Sequence, residues 1–170
     1  IKMEASLKEV RFDSITAEHF KQVKEHGFTD AYLANVWNVP ERDVRAKRKA
    51  LHITPSYKMV DTCAAEFESS TAYFYSSYYG ESEIEPSTNK KVAIIGSGPI
   101  RIGQGVEFDY SSVHGVLALE KEGYETILIN NNPETVSTDF EVADRLYFEP
   151  VTVEDVLNVL DAENVKDVIV

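Results

Sequence analysis

The sequence predicts an α/β protein: a small all-α region at the N-terminal end, followed by a doubly wound parallel sheet that the chain leaves incomplete. Three observations predict it. Residues up to about 50 read as short capped helices whose apolar positions recur three or four apart. From Lys90 the pattern alternates strand, loop and helix, with the continuous apolar runs of a parallel sheet covered on both faces. The first of those runs leads directly into GSGPIRIGQG, residues 96–105, a loop with four glycines.

Taken in order, Thr16 is placed to cap AEHFKQVKEHG, which Gly27 ends, and Thr29 to cap DAYLANVWN. Pro40 suits the first turn of PERDVRAKRKALH. The inward faces are expected to carry Leu33, Val36 and Trp37, then Val44, Leu51 and the stem of Arg48. Helices this short must pack together to persist. TPSYKMVDTCAAEFESSTAYFYSSYYG follows, with Tyr73, Phe74, Tyr75, Tyr78 and Tyr79 crowded together without helical spacing. It predicts an extended strap lying on another surface. ESEIEPSTNK reads as an exposed linker, which puts the domain boundary near residue 86, giving domains 1–86 and 87–170. Strands are expected at KVAII, ETILIN, RLYFE and KDVIV, with helices over about 111–122, stopped by Gly123, and 153–161. Thr152 and Asp155 stand in capping-box spacing ahead of the second. Residues 130–145 leave room for no more than a short helical turn, and such long connections are often functional. The chain stops at Val170 inside what should be a buried strand, so a longer protein is expected.

Composition excludes several classes. Cys63 is the only cysteine, so there is no disulfide framework and no thiolate metal cluster; the four histidines show no metal-binding spacing. No apolar run is long enough to span a membrane and no signal peptide is visible, so a soluble cytoplasmic protein is expected. Residues 90–170 carry 6 basic against 15 acidic residues, which repels polyanions at long range. FTDAYLANVWNVPERDVRAKRKAL has the outline of a helix-turn-helix, and the aromatic strap that of a single-strand stacking platform. The net charge of −12, and the absence of any basic residue between Lys58 and Lys90, argue against both, so no nucleic-acid partner is expected.

Strand, GxG and helix outline the dinucleotide-binding turn of a Rossmann-like oxidoreductase domain. Here the third fingerprint position is Arg101, Pro99 offers no N–H, and the second strand ends in Asn130–Asn132, where a ribose-binding carboxylate is expected. No Gly-Lys-Ser/Thr closes a Walker loop either. In a parallel sheet the loops after KVAII and ETILIN open into one crevice. It would be walled by Gly105 and by acceptors from Glu107, Asp109, Asn130, Asn132 and Glu134, with Arg101 the nearby cation, and would suit a small polar species better than a triphosphate. Equally, Glu107 and Asp109 could pair with Arg101 and cap the next helix.

GSGPIRIGQGVEFDYSSVHGVLAL, NNNPETVSTDF and DRLYFEP, preceded by YKMVDTCAAEF, resemble the middle of the carbamoyl-phosphate synthetase large subunit, from about residue 17 to residue 170. In that family two ATP-grasp halves flank a helical oligomerisation domain. The first phosphorylates bicarbonate, glutamine-derived ammonia converts the product to carbamate, and the second phosphorylates carbamate. The resemblance implies that residues 1–86 belong to the oligomerisation domain and 87–170 to the Rossmann-like pre-ATP-grasp subdomain of the second half. It implies a carbamate-tunnel wall at Gly105, Glu107 and Glu134, with Arg101 or Arg145 as a charge partner or the cargo passing neutral. No catalytic residue and no metal ligand is implied for this chain, which should be inactive alone. ATP with magnesium or manganese belongs to the parent enzyme. The implied partners are the rest of the large subunit, a glutamine amidotransferase small subunit, and a second copy through the helical region. The motifs leave open pyrimidine against arginine synthesis.

Overall fold

A computed structural model describes residues 2–64, 66, 71–96, 109–139 and 141–170. They fall into two units, Ile1–Ser56 with Ser77–Glu81, and Tyr57–Ser76 with Ser82–Val170. The first is helical: α1 (Lys2–Glu9), a 3₁₀ turn at Phe12–Ser14, α2 (Ala17–Glu25), α3 (Asp30–Trp37) and α4 (Glu41–Ala50). The caps fall where the sequence puts them, with Thr16 accepting from the His19 N–H at 3.2 Å and Thr29 from the Tyr32 N–H at 3.1 Å. Pro40 stands one position earlier than expected, as the N-cap of α4, with extended backbone. The core joins Leu7, Phe20, Val23, Leu33, Val44 and Ile53, with Trp37 packed edge-on to Phe20 and donating to the Val10 carbonyl at 3.0 Å. Helix α1 carries no strong sequence signal and owes its place to Leu7.

Arg48 corrects the sequence reading. Its whole side chain is buried, guanidinium included, because Asp30 receives Nη2 at 2.8 Å and Nε at 3.1 Å. Lys24 Nζ reaches the same carboxylate at 3.0 Å. Lys47, also on α4, gives its ammonium to the Phe12 carbonyl and lies over that ring. Two of the five cations of the supposed recognition helix are therefore taken up inside the helical unit.

The second unit is a sheet whose strands are β1 (Ser56–Met59), β2 (Tyr73–Ser77), β3 (Lys91–Ile95), β4 (Glu125–Asn130), β5 (Arg145–Phe148) and β6 (Asp167–Ile169), in the order β1-β2-β5-β4-β3-β6. Helix α5 (Tyr110–Lys121) connects β3 to β4, and α6 (Val153–Glu163) connects β5 to β6. The pairs β2–β5, β5–β4, β4–β3 and β3–β6 are parallel. The strand order reverses at β3, whose neighbours are β4 on one side and β6 on the other, which is the doubly wound pattern. The strands β3 and β4 coincide with KVAII and ETILIN, whose side chains are almost all buried. Gly123, at φ +78°, supplies the left-handed residue that turns the chain out of α5. KDVIV departs from expectation: β6, which among the described residues pairs with β3 at the sheet edge, is exposed throughout.

The aromatic segment is extended, as expected, but it joins the sheet instead of lying across it. Strand β2 pairs with β5 through Tyr73 opposite Leu146 and Phe74 opposite Tyr147. Phe74 stacks on the Tyr147 ring at 5.4 Å and Tyr57 meets it edge-on at 5.2 Å. Packing thus groups Tyr57–Ser76 with the sheet, ahead of residue 86, while Tyr78 packs against the helical core.

Candidate functional site

Parallel strands present their carboxyl ends on one edge, and β3 and β4 end side by side there. Gly96 follows β3 and donates its N–H to the Ile129 carbonyl at 2.8 Å. A Cβ on Gly96 would lie 2.6 Å from Asn130 Cγ, so the glycine is what lets Asn130 fold in beneath the strand end. This explains the first glycine of GSGPIRIGQG by contact with protein, with no phosphate needed.

The buried Asn130 is spent on its own loop. Its Nδ2 donates to Thr135 Oγ1 at 3.2 Å and its Oδ1 accepts from the Asn132 N–H at 3.4 Å. Asn132 Oδ1 accepts the Glu134 N–H at 3.0 Å, and the Asn132 carbonyl accepts from the hydroxyls of Thr135 and Thr138, each at 3.1 Å. These bonds wind NNNPETVST into a tight polar turn ending in a 3₁₀ turn at Val136–Thr138, and they leave Glu134 exposed on it. Asp109, 0 % exposed at the start of α5, joins this loop from the other side by accepting the Ser137 N–H at 3.1 Å.

The described ends of the first connection meet the second, Gly96 against Asn130 and Asp109 at Ser137. Of the acceptors expected along the crevice, Asn130 and Asp109 are turned inward to hold the loops, Asn132 is engaged in its own turn, and Glu134 faces solvent. Arg101, Gly105 and Glu107 lie outside the described residues, as does Pro99.

Arg145 must be moved. It opens β5 at the opposite edge, where Nη1 binds Glu163 at 2.8 Å, Nε lies 3.3 Å from Glu125, and Nη2 donates to the Glu85 carbonyl at 2.6 Å. It is therefore not a partner for Glu134, and the sequence could not reveal this because Glu163 and Glu125 are each 18 or more residues away from it. Two open grooves, of about 740 and 640 Å³, also border that amino edge and share Asp144 and Arg145. Burial, then Asp144, pushes the Glu120 carboxyl in the first groove up. Their size does not make them the site: ligands of such sheets bind at the carboxyl edge.

The sequence missed Glu149, which follows β5 at the carboxyl edge and is 4 % exposed. It accepts from both the backbone N–H and, at 2.9 Å, the hydroxyl of Ser76. Burial pushes its carboxyl from 4.5 up to about 7, the Ser76 bonds pull it part of the way back, and Asp155 raises it. Since the folded value lies above the unfolded one, the stability it contributes is complete below pH 4.5 and is lost as pH rises through about 7. The loss is roughly 3 kcal/mol. In urea titrations of the chain from pH 5 to 8, Glu149→Gln should remove that decline, and parallel pH profiles for the two proteins would refute the assignment.

Among the described residues no group of three or more His, Cys, Asp or Glu is arranged to hold a metal ion, and no helix is long and apolar enough to cross a membrane.

Residues 88–170 match the carbamoyl phosphate synthase preATP-grasp domain, and residues 1–52 match the oligomerisation domain of the carbamoyl-phosphate synthetase large chain. The chain is 67% identical over 159 residues to the arginine-specific carbamoyl phosphate synthase large chain of Geobacillus stearothermophilus, covering 93% of this chain and 15% of that protein. It is 58% identical over 172 residues to the arginine-specific large chain of Bacillus subtilis (strain 168), covering 100% of this chain and 17% of that protein. To the carbamoyl phosphate synthase large chain of Thermotoga neapolitana it is 54% identical over 171 residues, 100% of this chain and 15% of that protein. The chain thus spans about one-sixth of the length of these relatives.

Proposed function

Because the chain belongs to the carbamoyl-phosphate synthetase large-chain family, we propose that it serves that ATP-dependent ligase as association surface and passage wall rather than as a centre of chemistry. Residues 1–86 contribute to oligomerisation and 87–170 open the carbamoyl-phosphate-forming half. The parent reaction joins bicarbonate and glutamine-derived ammonia at the expense of ATP, with a magnesium or manganese ion. Among the described residues no cluster of His, Cys, Asp or Glu is arranged to hold that metal. A dinucleotide site is disfavoured because Asn130, where a ribose carboxylate is needed, is buried and bonded to Thr135. The arginine-specific relatives support an arginine-directed product over a pyrimidine-directed one. The partners are the rest of the large subunit, the amidotransferase small subunit and a second copy.

The observation that carries the passage reading is the Asp109–Ser137 bond, which ties the end of the first strand-end loop to the loop bearing Glu134. Gly105 and Glu107 belong to the first loop by sequence, and Glu134 stands exposed on the second. Ionised glutamates repel carbamate anion. With Arg145 engaged elsewhere, Arg101 is the remaining basic residue of the two loops; it neutralises one carboxylate, or the cargo crosses as carbamic acid, hydrogen-bonded to acceptors. In the full-length synthetase, Gly105→Tyr should lower carbamoyl-phosphate synthesis by about tenfold or more while bicarbonate-dependent ATP hydrolysis stays within about twofold. Unchanged synthesis would remove the passage assignment.

A further inference from the structure

We infer that Asp109 is a positioning residue, which fixes through the Ser137 N–H where Glu134 stands at the carboxyl edge of the sheet. The inference rests on the proposed passage and names a determinant of its wall. Asp109 occupies the N-cap position of α5, where an aspartate ordinarily bonds the N–H groups of its own helix. It makes no such cap bond, and its carboxylate is fully withdrawn from water to accept an N–H 28 residues further on. A buried carboxylate holding a backbone N–H is a strong, directional tie.

The tie falls just after Glu134, because Ser137 lies within the 3₁₀ turn Val136–Thr138. On the near side the loop is held to β4 by the Asn130–Thr135 bond, and Asn130 is itself confined beneath Gly96. Glu134 thus stands between two anchors, both made of buried groups, while its own carboxylate is exposed and contributes to neither. That is an arrangement for presenting a carboxylate at a set place. Loss of either anchor frees Glu134 to leave that place.

The test compares Asp109→Ala, Asp109→Glu and Asp109→Asn in the full-length synthetase, with Glu134→Ala and Gly105→Tyr as controls for the passage itself. Carbamoyl phosphate formed per ATP consumed is the readout, and amide exchange across residues 132–138 reports the loop. The alanine variant should free the loop amides and lower the coupling ratio by about tenfold, with bicarbonate-dependent ATP hydrolysis within about twofold. Asp109→Glu keeps charge and acceptor but shifts the loop, and should uncouple as well. Asp109→Asn retains an acceptor for the Ser137 N–H and should restore most of the ratio, a rescue that separates position from charge. Should the alanine variant fail to fold, the glutamate–asparagine pair decides alone. If the controls uncouple but no Asp109 variant does, or if Asn is as poor as Ala or Glu, the positioning role is overturned while the passage stands. If neither Gly105→Tyr nor Glu134→Ala uncouples, the passage falls and the inference with it.

Discussion

Glu163→Ala should lower the unfolding free energy of the sheet unit by about 3–5 kcal/mol, the cost of orphaning buried charges. Glu163 closes α6 and is 0 % exposed. Its carboxylate takes Lys91 Nζ at 2.9 Å, Arg145 Nη1 at 2.8 Å and the Tyr147 hydroxyl, while its carbonyl accepts from Lys91 at 2.9 Å. Lys91 opens β3 and Arg145 opens β5, so one carboxylate ties the end of α6 to the amino end of the sheet. Burial pushes the Tyr147 phenol up, and the Glu163 hydrogen bond and charge push it further, so it remains a donor across the accessible pH range. After the substitution Arg145 retains Glu125 and the Glu85 carbonyl, but Lys91 retains the Glu163 carbonyl in place of a carboxylate. Glu163→Gln should be nearly as damaging, because its amide NH₂ confronts cationic donors. Pairing Glu163→Leu with Lys91→Met should recover part of the loss by removing charge on both sides. Urea denaturation followed by circular dichroism measures each, and a loss below about 1 kcal/mol for Glu163→Ala would refute the hub.

The sequence carries the elements that local chemistry specifies and hides those that distance specifies. Thr16 and Thr29 announce α2 and α3 because a cap bond spans three residues. KVAII and ETILIN announce β3 and β4 because burial on both faces permits no polar alternation. The short strands β1 and β2 are not legible as strands: their aromatics show no helical period, but the partner that makes β2 a strand is β5, far along the chain. The sequence announces only the buried stem of Arg48, since nothing near it in sequence marks Asp30 as its counter-ion. The candidate site divides in the same way. Parallel topology alone places the carboxyl ends of β3 and β4 side by side, while the Asp109–Ser137 tie and the burial of Glu149 against Ser76 depend on approach in space.

Asp30→Ala should have a larger effect again, about 5 kcal/mol, which is comparable to the whole stability of a small domain. Asp30 opens α3 at 1 % exposure and answers two buried cations, Lys24 from α2 and Arg48 from α4. Lys24 would keep the Phe28 carbonyl at 2.7 Å and the Tyr78 ring at 5.3 Å, and Arg48 the Ile53 carbonyl at 2.9 Å. Neutral acceptors do not offset an ammonium and a guanidinium charge withdrawn from water. The substitution also removes an anion from the first turn of α3, where the helix dipole favours one. Arg48→Lys in an otherwise native chain should also destabilise, because Arg48 meets Asp30 with Nε and Nη2 together and a lysine presents a single point. Trp37, the only tryptophan, packs against the helical core and reports this unit selectively. Its fluorescence in Asp30→Ala should show solvent exposure at low urea, while Lys24→Met, Asp30→Leu and Arg48→Met combined should return the transition toward its original midpoint. If Asp30→Ala instead keeps the native Trp37 transition, the three charges are not a buried unit, and the packing of α2, α3 and α4 stands on its apolar residues alone.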